Sequence, residues 1–313
     1  MSGSRILIVK RRGLRYFLEA EPAFAAIRQA HPSAAVTLVT TDRFAPLVDG
    51  SPHVDEVVPL TARGMRRKLR KLVRVKRYDV IYDLDGTPSA FDLHATRYAS
   101  RSSRLIGIEG RSPEGLAGPA MRKLLFDAGI AVQHRLPDPT FGVRALRRDP
   151  GIVLERDDPF ALLLLSSAGE RQWPEPAWHQ LANALALQGI TPVLIGERPR
   201  SSRGATPLRG WTERAIDLRG GTDLAQLAAL AVRARFFVSN VAEELHLISA
   251  LRCPGVVICD VADAVSETLF GREIISLMSS EVEAVAPSIV TGMLESMGVL
   301  GTIPTLRRHA VVS

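Results

Sequence analysis

Short runs of consecutive hydrophobic residues alternate along this chain with longer stretches in which hydrophobic residues recur every three or four positions. Short apolar runs bounded by turn residues are typical of buried strands, and the longer pattern is typical of amphipathic helices. The predicted strands are 6–9, 36–39, 80–82, 104–108, 160–165, 192–195, 215–218, 236–238 and 255–259. The predicted helices are 14–30, 63–77, one between residues 82 and 104, 174–188, 223–233, 242–251 and 281–297. This alternation predicts an α/β fold with parallel sheets.

The alternation is interrupted by a polar, proline-containing stretch at 147–151, which predicts a linker at about 145–158. The chain has 313 residues, enough for two hydrophobic cores, so domains are predicted at 1–150 and 151–313. Each is predicted to be a Rossmann-like, doubly wound domain, and the two are predicted to face a central cleft. Ligands of such sheets bind at the carboxyl ends of the strands. Ligand-binding residues are therefore expected in the loops after Val9, Tyr82, Leu165 and Val238.

The first strand is followed by a loop and a helix with a recognisable pattern. Residues 9–22 read VKRRGLRYFLEAEP and run into the helical segment 23–32. This segment resembles the opening of glycosyltransferase family 9, whose members add heptose to bacterial lipopolysaccharide. Residues 51–59 and 78–86 are similar to later parts of the family pattern. The resemblance implies a GT-B fold, in which the N-terminal domain binds the acceptor and the C-terminal domain binds a nucleotide sugar.

A second match follows the strand 160–165, where residues 165–174 read LSSAGERQWP and are similar to the family's donor-binding loop. Ser166 and Ser167 can donate hydrogen bonds to diphosphate oxygens, and Arg171 can pair with them through two parallel bonds. The N-terminus of the following helix adds backbone N–H donors and a partial positive charge. Without the family, Ser-Ser-Ala-Gly can also be interpreted as a plain turn, which is the less favoured alternative.

A third match covers residues 224–251, where the family has a strand, a polar loop and a helix with a His-Leu pair. His246 occupies the histidine position, and Asn240 and His246 are the polar candidates for nucleotide binding. Val241 and Glu243 replace an aspartate and a glycine, which should weaken nucleotide binding because a glutamate repels phosphates. Glu243 and His246 also have metal-ligand spacing on a helix, but one such pair is weak evidence, and no metal site is predicted.

The catalytic base of the family is replaced in this chain. The family carries an aspartate six residues before a proline, and Tyr16 stands six residues before Pro22. A free tyrosine, with a pKa near 10, is a poor base at neutral pH, so a carboxylate must take this role or the reaction slows. The candidate catalytic residues are therefore Tyr16, Glu19 one helical turn later, and Asp85 after the predicted strand 80–82. Glu19 can also be interpreted as an exposed carboxylate on the helix face.

Positive charge is concentrated in the first half of the chain. Residues 1–150 contain 26 Lys and Arg against 15 Asp and Glu, whereas residues 151–313 contain 14 against 18. The segment 63–77 holds nine cations and no acid, which predicts a basic amphipathic helix. Its charged face is either simply solvated, or contacts an anionic membrane, or contacts nucleic acid; the last ranks lowest because no aromatic residues interleave the cations. The candidate acceptor-binding cations are Lys10, Arg11 and Arg15, where Arg15 replaces a family glycine.

The resemblance implies an inverting, metal-independent glycosyltransferase. It would transfer heptose or a similar sugar from a nucleoside-diphosphate donor, ADP-linked by analogy, to lipopolysaccharide core or another glycan. The donor is a co-substrate, so no bound cofactor is expected. The expected partners are this donor, a glycan or glycolipid acceptor and an anionic membrane surface, without nucleic acid.

Other sequence features limit the alternatives. No apolar run approaches the ~20 residues that span a bilayer, so a cytoplasmic location with peripheral contact at the inner membrane is expected. Cys253 and Cys259 are predicted to be core thiols. Two alternatives stay open: a catalytically impaired GT-B homologue that binds a glycan or a protein partner, and a transferase with a different donor or acceptor.

Overall fold

A computed structural model describes residues 4–61, 65–85, 104–107, 116–135, 137, 158–165, 172–197, 210–240, 242–261, 269–270 and 273–301. The chain divides into two compact units. The first comprises Met1–Pro150 together with Asp223–Val232 and His246–Leu251, and the second comprises Gly151–Thr222, Arg233–Leu245 and Arg252–Ser313.

The first unit contains a five-stranded, fully parallel sheet with the strand order β3-β2-β1-β4-β5. Its strands are β1 Arg5–Val9, β2 Ala35–Thr40, β3 Glu56–Pro59, β4 Val80–Asp83 and β5 Arg104–Gly107. Strand β1 lies between β2 and β4, and Val9 is opposite both Val39 and Asp83. The strand order reverses direction between β1 and β4, so a crevice forms where these two strands end.

Four helices accompany this sheet: α1 Leu14–Leu18, α2 Glu21–Ala30, α3 Met65–Lys76 and α4 Gly118–Asp127. The single helix predicted over 14–30 is thus two helices, separated by Glu19 and Ala20. Gly13 precedes α1 with a φ of 58°, a left-handed conformation that glycine adopts without a steric penalty. Helix α2 begins with Glu21 followed by Pro22, which suits a first turn because proline lacks the N–H that would have no partner there.

Helix α3 confirms the predicted basic amphipathic helix. Leu69 and Val73 are buried in the same core cluster as Leu7, Val9 and Ile81 of the sheet. Burial of its apolar side chains fixes the orientation of the helix, so that its cations lie on the opposite, solvent-exposed face.

The second unit contains a six-stranded parallel sheet with the order β11-β10-β9-β6-β7-β8. Its strands are β6 Phe160–Leu165, β7 Thr191–Gly196, β8 Ile216–Asp217, β9 Phe236–Asn240, β10 Gly255–Cys259 and β11 Ile274–Met278. The helices in this half of the chain are α5 Glu175–Leu187, α6 Leu224–Arg233, α7 Leu245–Ala250 and α8 Pro287–Ser296. Counted within the unit, the order is that of a dinucleotide-binding sheet, and it reverses between β6 and β9.

The core of the second unit is formed around two tryptophans. Trp173 and Trp178 pack edge to face with ring centroids 4.8 Å apart, and both are buried. The indole N–H of Trp173 donates to the carbonyl oxygen of Val285 at 2.8 Å, so the polar edge of this buried ring is satisfied. Trp173 therefore packs in this core, and it holds the start of α5 against the segment that precedes α8.

The α/β class with two parallel sheets is confirmed, and three elements are present that the sequence pattern did not predict: β3, α4 and β11. Both missed strands lie at sheet edges and contain no fully buried residue, so they lack the continuous apolar run of a central strand. Two predicted helices also differ. The one at 242–251 begins at Leu245, and the one at 281–297 is a short 3₁₀ turn at Val282–Ala284 followed by α8.

Candidate functional site

The carboxyl ends of β1 and β4 bring two predicted loops side by side. The backbone N–H of Leu84 donates to the carbonyl of Val9 at 3.0 Å, which extends the β1–β4 pairing by one residue. Lys10, Arg11 and Arg12 follow β1, and Asp85 follows β4. The switch point of the first sheet is therefore lined by three cations and a carboxylate.

Asp85 and Arg11 form a buried ion pair across this switch point. The Arg11 Nε–H donates to Asp85 Oδ2 at 2.8 Å, and the two side chains are 6% and 0% exposed. The other oxygen, Oδ1, accepts the backbone N–H groups of Arg11 at 2.7 Å and Arg12 at 3.1 Å. The backbone N–H of Asp85 itself donates to Asp83 Oδ1 at 3.0 Å. Asp85 thus holds the β1–α1 loop against the end of β4.

Lys10 is fully buried, and its ammonium group lies between three segments. Its Nζ donates to the carbonyl oxygens of Leu84 at 3.1 Å and Leu116 at 3.3 Å. Burial lowers the pKa of Lys10 to about 8, although the nearby carboxylates of Asp85, Asp83 and Glu19 oppose this change.

Tyr16 and Glu19 lie next to these cations. The Lys10 Nζ is 5.9 Å from the centroid of the Tyr16 ring, and the Arg15 guanidinium carbon is 5.7 Å from it. The Arg15 Nε–H donates to Glu19 Oε1 at 3.0 Å, and the backbone N–H of Gly118 donates to Glu19 Oε2 at 2.6 Å. The Glu19 side chain is only 13% exposed, so its interpretation as an exposed helix-face carboxylate is wrong. It caps the N-terminus of α4 instead.

The switch point of the second sheet lies between β6 and β9. Ser166, Ser167 and Arg171, the predicted donor loop, lie outside the described residues. The residue opposite Leu165 is Gly196, with a φ of 136°. A Cβ atom there would lie 2.1 Å from the carbonyl oxygen of Leu165. Only glycine allows the backbone to approach so closely at the edge where the donor loop begins.

The other predicted nucleotide contacts lie at the end of β9 and in α7. Asn240, the last residue of β9, is buried, and the Ser239 hydroxyl donates to its carbonyl oxygen. His246 lies in α7 and is partly buried, whereas Glu243 is exposed before that helix. Asn240 therefore lies at the carboxyl end of β9, the end of the strands at which ligands are predicted to bind.

Asp83, Leu116 and Gly118 contribute to the first switch point and were not predicted. Asp83 could have been found, since it stands two residues before Asp85 at the end of a strand. The segment 116–118 carries no recognisable chemical group, because it contributes only backbone atoms.

Three further expectations concern metal, membrane and thiols. Within the described ranges, no group of three or more His, Cys, Asp and Glu side chains is arranged to hold a metal ion. None of the helices in those ranges is long and apolar enough to cross a bilayer. Cys253 and Cys259 are buried and form no disulfide, which confirms them as core thiols. Burial raises the pKa of Cys253 to about 12.

Residues 125–275 match the model of glycosyltransferase family 9 (heptosyltransferase). The resemblance to glycosyltransferase family 9 that the sequence predicted is therefore confirmed over this range. The matched range includes the donor-loop text and the polar loop after β9, whereas the Tyr16 region lies before it.

Named lipopolysaccharide heptosyltransferases are similar to most of the length of this chain. Lipopolysaccharide heptosyltransferase 1 of Escherichia coli strain K12 is 23% identical, over 83% of this chain and 88% of the relative. The Pseudomonas aeruginosa enzyme of the same name is 25% identical, over 80% of this chain and 77% of the relative. Among solved structures, E. coli ADP-heptose lps heptosyltransferase II matches with a TM-score of 0.71 and 19% identity, covering 94% of this chain and 98% of that one. This structural similarity confirms the predicted GT-B fold class.

Proposed function

We propose that this protein transfers a sugar, heptose or a similar one, from a nucleoside-diphosphate donor to a hydroxyl group of lipopolysaccharide core or another glycan. The observation that carries the proposal is the family 9 match over residues 125–275, within which a dinucleotide-type sheet reverses between β6 and β9. The structure of E. coli heptosyltransferase WaaC with ADP is similar to this chain, with a TM-score of 0.68 and 20% identity. The match covers 94% of this chain and 99% of WaaC. An ADP-linked donor is therefore proposed here, with inversion at the transferred carbon and no metal.

The second unit is proposed to bind the donor. Ser166, Ser167 and Arg171 follow β6 in the sequence, and Asn240 ends the neighbouring strand β9. Hydroxyl and guanidinium donors at a switch point suit a diphosphate, and the start of α5 adds backbone N–H groups. His246 is proposed as a further nucleotide contact.

The first unit is proposed to bind the acceptor, and the burial of its cations separates their roles. Lys10 and Arg11 are almost completely buried. Lys10 donates to backbone carbonyl oxygens and Arg11 donates to Asp85. The Arg15 side chain, in contrast, is 33% exposed. Arg15 is therefore proposed as the acceptor-contacting cation, and Lys10 and Arg11 as the residues that shape its loop.

Glu19 is proposed as the base that replaces the family aspartate, ahead of Asp85 and Tyr16. Glu19 accepts two charge-assisted or backbone hydrogen bonds and keeps some exposure, whereas Asp85 accepts three and has none. To take a proton, Glu19 must exchange one of its bonds for the acceptor hydroxyl, which a bound acceptor could achieve by displacing Arg15.

A second candidate function follows from the same contacts. Both carboxylates near Tyr16 are already hydrogen-bonded. The family resemblance also implies that Tyr16 stands where the family has its catalytic base. A protein that binds the nucleotide sugar or a glycan without turnover fits these contacts as well.

An acceptor-dependent assay separates the two functions. The intact protein is incubated with ADP-heptose and a lipopolysaccharide core oligosaccharide, and ADP release and product mass are measured. Parallel thermal-shift titrations with ADP, UDP and GDP report binding. Acceptor-dependent ADP release with a new glycoside supports transfer. Nucleotide binding without release supports the impaired homologue, and the absence of both contradicts both proposals.

Peripheral membrane contact is proposed for the basic face of α3. Leu69 and Val73 are buried in the core, which leaves five exposed cations on the solvent side. Among the residues that the structure describes, no acid lies within ion-pair distance of them. These cations are Arg67, Lys68, Arg70, Lys71 and Arg74. Like charges three or four residues apart destabilise a helix, so their retention favours an anionic partner. A phosphate-bearing bilayer surface attracts each such cation by about 1 kcal/mol.

Vesicle sedimentation tests this contact. The protein is mixed with phosphatidylcholine vesicles that contain about 30% phosphatidylglycerol, and with pure phosphatidylcholine vesicles. The double substitution Lys71→Gln/Arg74→Gln is expected to weaken anionic-vesicle binding at least tenfold, since two cations contribute about 2 kcal/mol. The control Lys123→Gln/Arg214→Gln removes two exposed cations from other surfaces. Equal loss in both variants, or equal binding to both vesicles, would contradict the contact.

A further inference from the structure

Lys10 is an unusual residue in the first unit. It belongs to the largest fully buried side chains of the described residues, and the others in that group are aromatic or aliphatic. Its chain position, directly after β1, is predicted to lie in a loop, where a lysine is normally solvated. A methionine would fill a similar volume without desolvating a charge.

The ammonium group of Lys10 connects the β1 loop to two other segments. It donates to Leu84, which follows β4, and to Leu116, which precedes α4. Glu19 holds the same region, because it accepts the N–H of Gly118, the first residue of α4. The short segment 116–118 is therefore held at one end by Lys10 and at the other by Glu19.

The groups around Lys10 are the ones that the proposed reaction would use. Tyr16 and Arg15 lie on α1, and Glu19 follows that helix. The charged groups that act on Lys10 are Asp83 and Asp85 at the end of β4, Glu19, and Arg12 in its own loop. Burial works against the charged form of Lys10, and the three carboxylates work for it.

We infer that Lys10 is a positioning residue, whose ammonium group fixes the start of α4, and through it the Glu19 carboxylate, relative to Tyr16. A charged donor to two carbonyls restrains both segments more strongly than an apolar side chain could. A carboxylate that must meet an acceptor hydroxyl within hydrogen-bond distance loses rate when it moves by about 1 Å. The catalytic consequence rests on the proposed sugar transfer, but the restraint on α4 does not.

Amide hydrogen exchange of the intact protein tests the restraint directly. In Lys10→Met, the hydrogen-bonded amides of Gly118 and Met121 are expected to exchange at least tenfold faster than in the wild type at pH 7. The matched control is Lys123→Met, which removes an exposed lysine of the same helix. It should leave these amides unchanged. Unchanged exchange in Lys10→Met, or an equal increase in Lys123→Met, would overturn the inference.

The wild-type protein offers a test that does not depend on the folding of a variant. Between pH 7 and pH 9.5 the ammonium group is largely lost, since burial lowers the pKa of Lys10 to about 8. After correction for intrinsic exchange rates, 118–121 should open more readily at the higher pH while α8 does not, because in this local opening Lys10 stays buried and only the restraint by its ammonium group is lost. Global unfolding exposes Lys10 to water and should instead become less favourable over the same pH range. Equal protection of 118–121 at both values would refute the restraint.

Kinetics separate positioning from general structure if transfer is observed. Lys10→Met is expected to lower kcat at least tenfold while the donor KM stays within about twofold of the wild-type value. The wild-type rate should fall above pH 8 as Lys10 loses its proton, and this fall should be absent in Lys10→Met. An unaltered kcat would refute the catalytic role of Lys10. If the wild type shows no transfer while the exchange results hold, the proposed function fails and the restraint by Lys10 stands.

Discussion

The buried Arg11–Asp85 pair gives a prediction with a defined magnitude. Asp85→Asn keeps the size of the side chain but removes its charge and places an amide N–H₂ group where one carboxylate oxygen accepts. Asp85 accepts two backbone N–H groups and the Arg11 Nε–H, and it is fully buried. Removing one partner of a buried ion pair costs about 3 to 5 kcal/mol. For a domain of this size that corresponds to a fall in Tm of about 6 to 20 °C.

Thermal unfolding followed by near-UV circular dichroism at pH 7.5 measures this effect. The control Asp127→Asn alters an exposed carboxylate that pairs with Lys123, and it should change stability by no more than about 0.5 kcal/mol. Replacing both partners, as in Arg11→Met/Asp85→Leu, should cost less than Asp85→Asn alone, since no charge is then left buried without its counter-ion. If Asp85→Asn lowers the Tm by less than about 2 °C, this explanation is refuted. Lost activity at unchanged Tm would instead support Asp85 as the base.

Three further predictions concern other described residues. The pKa of Lys10 falls from 10.5 to about 8 on folding. The unfolded chain therefore binds more protons than the folded one between pH 8 and 10.5, so the free energy of unfolding of the wild type should rise over this range relative to that of Lys10→Met. The expected rise is about 3 kcal/mol, at 1.4 kcal/mol per pKa unit. Parallel urea titrations of the two proteins that show no such divergence would contradict this prediction. Glu19→Gln should lower kcat at least about 100-fold with nucleotide affinity intact, and undiminished turnover in steady-state assays would remove Glu19 from the mechanism. Gly196→Ala should lower the Tm, because the new Cβ atom would meet the carbonyl oxygen of Leu165. Gly292→Ala lies in a helix interior, where the new Cβ atom would have no other atom within 4 Å, so it should raise the stability by about 0.5 to 1 kcal/mol. A higher Tm for Gly196→Ala than for Gly292→Ala in calorimetry would contradict this explanation.

The strands that the sequence predicted best are the central ones. Strands β6 and β10 occur with the predicted bounds, because continuous apolar runs between turn residues allow only a strand buried on both faces. The basic helix α3 was predictable for a related reason, since the 3.6-residue period separates its apolar and charged faces. The edge strands β3 and β11 lack such a run and were missed, whereas the edge strands β5 and β8 were predicted.

What the amino-acid sequence by itself determined is local: where most of the strands and helices lie, and where the cations concentrate along the chain. The tertiary structure alone decided which groups meet. Asp85 lies 74 positions from Arg11 along the chain, and Leu116 lies 106 positions from Lys10. Such contacts follow from the strand order 3-2-1-4-5, which brings the ends of β1 and β4 together. Periodicity reports only which face of an element is buried, so it cannot show which distant charge or carbonyl will satisfy a side chain once it is inside.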